Sequence, residues 1–203
     1  MYMSARDVNI SIDTADVMEK VYMLRNIKNG GAKAITRGLN KAVARMKTES
    51  KTPIRDTYTI KKITDVTGSI KVRKATYSNM SADINSKGRP IPLTNFQYTP
   101  NPSPGVKGTP TAFAKVRKDK GGGYTGGFVT SVKWSSKSGA SGNHKGIFKR
   151  VGKSRYPIKQ LYGPGATEML NNEKTKQVIT ETAVTEFDKE FNRQVAYLFK
   201  GGK

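Results

Sequence analysis

The sequence predicts an α+β fold: a small, mostly antiparallel sheet packed against N-terminal helices and one long C-terminal helix, with extended Gly/Pro/Lys-rich loops. Three observations predict it. Apolar residues recur at helical spacing near both ends of the chain, and between those ends they alternate with polar ones. Residues 86–165 hold 14 of the 20 glycines and 8 of the 9 prolines, so that stretch is not mainly helix. With 203 residues the chain reads as one domain, 1–203. Its parts are a helical N-terminal part over 13–66, a basic β and loop-rich part over 67–160, and a C-terminal helix over 167–199.

In chain order, Val8, Ile10 and Ile12 alternate with Asn9 and Ser11 as a short strand. Asp13 and Thr14 offer caps, Val17, Val21, Leu24 and Ile27 form a stripe, and Gly30–Gly31 ends a helix over about 15–28. A second helix follows, with Ala34, Ile35, Leu39, Ala42, Val43 and Met46 as its apolar face. Lys33, Arg37, Lys41 and Arg45 line an adjoining strip, which reads either as a solvated face or as one turned to DNA or an acidic subunit. After Pro53, the mixed segment from Tyr58 to Val66 reads as a short helix closed by Gly68. Ile70 and Val72, then Met80, Ala82 and Ile84, predict two half-buried strands joined near Ser78 and Asn79. A strand over 91–98 precedes a breaker-rich arm containing Pro100, Pro102, Pro104 and Gly105, and further strands are expected at 112–116, 127–132 and 146–151. The last element is the clearest. Ile179, Ala183, Phe187, Phe191, Val195 and Leu198 lie four, four, four, four and three residues apart, a stripe that packs a core or another subunit.

Chemistry is excluded more readily than it is found. There is no cysteine, which removes disulfides and thiolate sites, and the one histidine, His144, has no ligand-spaced partner in its loop-like surroundings. Gly121–Gly126 satisfies the letters G-x-G-x-x-G, but the context is Lys118, Asp119 and Lys120 before it and a strand-like Phe128, Val129 and Val132 after it. No helix follows to aim N–H groups at pyrophosphate, and a hairpin tip is the better reading. Gly152, Lys153 and Ser154 resemble the end of a phosphate loop, yet Ile147 stands where its first glycine is needed. Asp56, Asp65, Asp83 and Asp119 are too dispersed for a local nuclease-type metal cluster. No enzyme, cofactor or metal site is therefore expected. No apolar run opens the chain and none approaches the ~18 residues of a membrane span, so a soluble protein made in a cytoplasm is expected.

What the composition does offer is charge. Against 15 acidic residues stand 37 Lys and Arg, a formal +22, which implies a polyanionic partner. Residues 51–160 carry 22 basic and 4 acidic groups, while 1–50 carry 9 and 5, and 161–203 carry 6 and 6. Contact with DNA or an acidic partner is assigned to Lys133, Lys137, Lys145, Lys149, Arg150, Lys153 and Arg155, interleaved with Trp134, Phe148 and Tyr156. Phe148 and Tyr156 read equally as core anchors. A free nucleic-acid-binding protein of ribosomal or chromatin-like type fits the charge alone.

Three blocks carry a more specific signal: Gly88 to Phe96, Gly146 to Arg150, and Pro157 to Pro164 with a long helix behind it. Together with the alanine-rich basic helix from Ala32 to Met46, they make the chain resemble the minor tail protein Z family of tailed bacteriophages, the tail completion proteins of long-tailed phages. The likeness spans most of the chain. It implies a virion protein at the head-proximal end of the tail, assembled in the host cytoplasm, with no catalytic residue. The implied partners are the tail terminator, the head-tail connector and other copies in a ring, taken as hexameric, with possible DNA contact in the channel and no membrane. Glycine and proline in the first and last blocks are expected to set turns. Duplex DNA carries one charge per ~1.7 Å, so the +18 of residues 51–160 matches about 30 Å of duplex from a single copy. A ring of six far exceeds what one duplex needs, and only a subset of the cations is expected to line a channel.

Overall fold

The computed structural model describes residues 8–11, 22, 30–99, 112–119, 124–135 and 141–201. The predicted helix over 15–28 and the proline-rich arm lie outside the described residues, apart from Tyr22, which is helical. The chain forms two compact units, one from 1–54, 66–88 and 166–203 and the other from 55–65 and 89–165.

In the first unit, helix α1 (Gly30–Glu49) packs against the last helix of the chain, Glu173–Phe199. All six residues of the predicted α1 face are buried. Gly38 lets the helices approach: a Cβ there would sit 3.0 Å from the Phe187 ring. The opposing stripe of Ile179, Ala183, Phe187, Phe191 and Leu198 is buried, with Val195 half-buried, so that stripe is core within the chain. The Phe187 and Phe191 rings stack at 5.7 Å.

A three-stranded sheet, order β1-β3-β2, belongs to the same unit: β1 (Val8–Ser11), β2 (Ile70–Arg73) and β3 (Asp83–Ser86). The predicted hairpin forms with Val72 opposite Ile84, but its second strand starts at Asp83, leaving Met80 exposed. Polar bonds tie β2 and the chain after it to α1. Lys47 Nζ donates to the Ile70 carbonyl at 2.7 Å, and the Asn40 amide both accepts from Ala75 N–H and donates to its carbonyl, at 2.8 and 3.1 Å. The two units divide within α2 (Lys51–Thr57) and α3 (Thr64–Thr67). Pro53 lies in the first turn of α2, where a missing N–H is tolerated. The predicted helix over 58–66 shrinks to α3.

The second unit is built on a five-stranded antiparallel sheet, order β5-β6-β7-β8-β9. Its strands are β5 (Gln97–Thr99), β6 (Ala112–Lys115), β7 (Tyr124–Ser135), β8 (Ser141–Arg150) and β9 (Ile158–Gln160). The strand expected over 91–98 is broken: β4 (Ile91–Pro92) leads into a 3-10 turn at Leu93–Asn95 and then β5. That turn plugs the core with Leu93 and Phe96, both fully buried, in a unit whose sheet also buries Ala112, Ala114, Val129 and Ile147. The strand β10 (Tyr162–Gly163) pairs with β4, Gly163 opposite Ile91 and Tyr162 opposite Pro92. Two of the blocks that carry the family resemblance thus meet each other in a strand pair, and do more than set turns. Back in the first unit, the predicted final helix is two: α4 (Ala166–Leu170) and α5 (Glu173–Phe199). Asn171 and Asn172 divide them, residues whose side chains compete for backbone hydrogen bonds and favour helix ends.

Candidate polyanion interface

The two units do not share the charge equally. The β-rich unit holds 17 basic and 3 acidic residues, a net +14, whereas the helical unit holds 20 and 12, a net +8. Of the 3 acidic residues, Asp119 is held bidentate by Arg117 at 2.7 and 3.0 Å, and Asp65 accepts from Asn95 Nδ2 at 2.8 Å. Most of the positive charge is left to face outward.

The β7–β8 hairpin displays much of it. Val129 opposite Ile147 is buried in the unit's core, and beyond it toward the tip Ser131 faces Lys145 and Lys133 faces Asn143. Cross-strand partners share a face, so Lys133, Lys145 and Lys149 project from the Ile147 face, with Lys159 opposite Lys149 on β9. At the strand rise these cations span about 20 Å along the hairpin. Arg150 lies on the other face and stacks over the Phe128 ring at 5.6 Å. Lys153 and Arg155 are exposed in the segment between β8 and β9, Arg155 over the Tyr156 ring at 5.7 Å. Lys137 lies outside the described residues. The structure therefore distributes the predicted basic residues over two faces and a loop. Lys133, Lys149, Arg150, Lys153 and Arg155 have no ion-pair partner among the described residues.

Local electrostatics agree. Partial burial, reinforced by the charge of Lys145, holds the Lys61 ammonium below its ordinary pKa. Lys61 is fixed there by a 2.9 Å bond to the Thr94 carbonyl and by the Tyr98 ring 4.0 Å away. An anion at this face would relieve that repulsion. Phe148 is buried, with its ring against Gly146, which makes it a core anchor, whereas Tyr156 is exposed. His144 lies within β8, not in a loop. Its Nε2 is 2.7 Å from Gln160 Nε2, and Gln160 Oε1 accepts from the Tyr162 hydroxyl at 3.0 Å. Gly126 lies in β7, so no helix follows the glycine run. Among the described residues no cluster of His, Asp and Glu suits a metal ion, and no helix is long and apolar enough to cross a membrane.

Comparison with known proteins bears on the whole chain. The family model of prophage minor tail protein Z matches residues 17–200. The chain belongs to the minor tail protein Z family. It is thus a phage tail structural protein, with its place in the virion among other tail components. The match runs through both compact units, so the helical pair and the basic sheet are both parts of the minor tail protein Z chain. No curated protein and no solved structure gives a significant match.

Sequence reasoning missed one basic site. Arg55, Lys115 and Lys118 line an open cleft in the β-rich unit. They are 60 or more residues apart in part, and nothing local in the sequence signals that main-chain pairing of 57–59 with 115–118 brings them together.

Proposed function

We propose that this minor tail protein Z member is a tail completion or neck component at the head-proximal end of the tail. In this reading it joins head to tail beside the tail terminator and the head-tail connector, and helps to pass or position DNA. It acts as a ring, which we take as hexameric from the family resemblance. The observation that carries the DNA role is the sorting of +14 into one unit of 88 residues, with a hairpin of outward cations. That charge matches the phosphates on about 24 Å of duplex per copy. In a ring the excess is large, so the Lys133, Lys145 and Lys149 face serves the channel while other cations meet protein neighbours or solvent.

The test is genetic and structural. Lys133, Lys145, Lys149, Arg150 and Lys153 are all replaced by Gln, and the variant complements a phage lacking this protein. All five are exposed, so stability is expected to stay within roughly 0.5 kcal/mol per site, with tails still containing the protein. Joined, DNA-filled particles counted by electron microscopy should fall sharply. Wild-type numbers of joined particles would overturn the DNA role, and loss of soluble protein would overturn the surface placement.

A further inference from the structure

With no lining residue drawn from the hairpin, the β-rich unit contains an open cleft of about 520 Å³ whose lining includes Arg55, Tyr58, Thr59, Gln97, Lys115 and Lys118. Its size is that of a ligand cleft, ~300 to 1,000 Å³. Three cations line it, and among the described residues no carboxylate does. The main chain explains the gathering. Lys118 N–H donates to the Thr57 carbonyl at 2.9 Å, Thr59 N–H donates to the Val116 carbonyl at 3.0 Å, and Thr59 Oγ1 donates to the Lys115 carbonyl. These bonds fix the backbone and leave the Lys115 and Lys118 ammonium groups without a partner among the described residues. Arg117 between them is committed to Asp119, whose hydrogen bond raises the guanidinium pKa further. The neighbouring acid is thereby used up, and Arg55, Lys115 and Lys118 have no ion-pair partner among the described residues. Three cations on one cleft, with no carboxylate in its described lining, make it attractive to an anion.

The aromatic groups decide which anion. Tyr58 is only 6% exposed and Arg117 lies over its ring at 5.9 Å, while the nearby Tyr98 ring is covered by Lys61. Among the described residues the one aromatic ring in the cleft lining, Tyr58, is buried, so the lining offers no exposed ring for the base stacking on which single-strand recognition relies. A duplex is convex and meets a cleft only through isolated phosphates, whereas an extended peptide lays successive side chains into it. We propose that this cleft binds an acidic segment of a partner protein, its carboxylates meeting Arg55, Lys115 and Lys118 beside the neutral Gln97 amide. The site does not depend on the DNA role of the hairpin.

The test compares two probes on the full chain by fluorescence anisotropy: an oligoglutamate peptide and a short DNA duplex. In the triple variant R55Q/K115Q/K118Q, peptide affinity is expected to fall roughly tenfold or more. Duplex affinity should fall less than about threefold, because the hairpin cations are intact. Undetectable peptide binding by the natural chain, or a triple variant that loses duplex but not peptide affinity, would overturn the inference. Should the triple variant not fold, carbodiimide coupling of the peptide to the natural chain is mapped by mass spectrometry. Coupling concentrated at Lys115 and Lys118 supports the site, and any other distribution refutes it. Loss of duplex binding in the hairpin variant tests the other reading and leaves this one untouched.

Discussion

Phe191→Ala separates a core role of the C-terminal helix from a subunit-packing role. Phe191 is fully buried, stacks on Phe187 at 5.7 Å and lies on the α5 face that meets α1. Truncating a buried phenylalanine costs about 3 to 5 kcal/mol, and loss of a stacked ring partner places this site in the upper half of that range, by roughly 0.5 to 1.5 kcal/mol. For a chain of this size each kcal/mol lowers the melting midpoint by about 2 to 4 °C, so a fall of roughly 8 to 20 °C is expected. The assay is urea and thermal unfolding of the isolated chain, with Tyr197→Ala as the control. Tyr197 sits on the same helix, 49% exposed, and its loss should cost no more than roughly 0.5 kcal/mol. If Phe191→Ala lowers stability by under about 1 kcal/mol, the stripe is not packed within the chain. Its partner would then be another subunit. A contact between copies through α5 would in the expected case use residues outside this stripe, such as Val184, Tyr197 and Phe199, which are exposed.

Gly163→Ala tests the strand pair that joins the two motif blocks. The added Cβ would lie 2.8 Å from Phe96 and 3.3 Å from Leu93, both fully buried, so overpacking of about 1 to 3 kcal/mol is expected in urea unfolding. Unchanged stability would refute the close approach. Glu190→Gln tests an acid-side term. The Arg193 hydrogen bond, with smaller help from Gln194 and the Lys41 charge, outweighs partial burial and holds Glu190 below its ordinary 4.5. The stabilisation is therefore present above pH 4.5 and lost as pH falls through the lower folded value. The stability gap between the natural chain and the variant should shrink on acidification, and a gap independent of pH would refute the linkage.

The elements that were legible in the sequence are those whose partners are dictated by local periodicity. The α1 face and the α5 stripe repeat at helical spacing and each can bury only one side, so Leu39, Phe187 and Phe191 could be assigned to a core before any contact was known. The β2–β3 hairpin and the strands near 112, 127 and 146 were likewise visible through alternation. The sequence misled where two tendencies compete. The 91–98 run is rich in large apolar residues, yet Pro92 and Asn95 turn it into a 3-10 plug, and paired asparagines cut the last helix. Glycine-rich and lysine-rich segments read as loops became the ends of long strands, because pairing of β7 with β8 supplies the hydrogen bonds that local propensity does not.

The same division holds for the candidate sites. Composition alone determined the charge surplus, since 37 cations against 15 acids leave more positive groups than internal pairing can absorb, and it is this surplus that points to an anionic partner. Helical stripes and alternation determined the α+β class and most of the core. Only the tertiary structure decided that Arg150 turns away from Lys133, Lys145 and Lys149, and that Arg55, Lys115 and Lys118 line one cleft. Those facts depend on strand register and on main-chain pairing between distant segments, and register is fixed by how the whole buried face packs, which no short window of sequence contains.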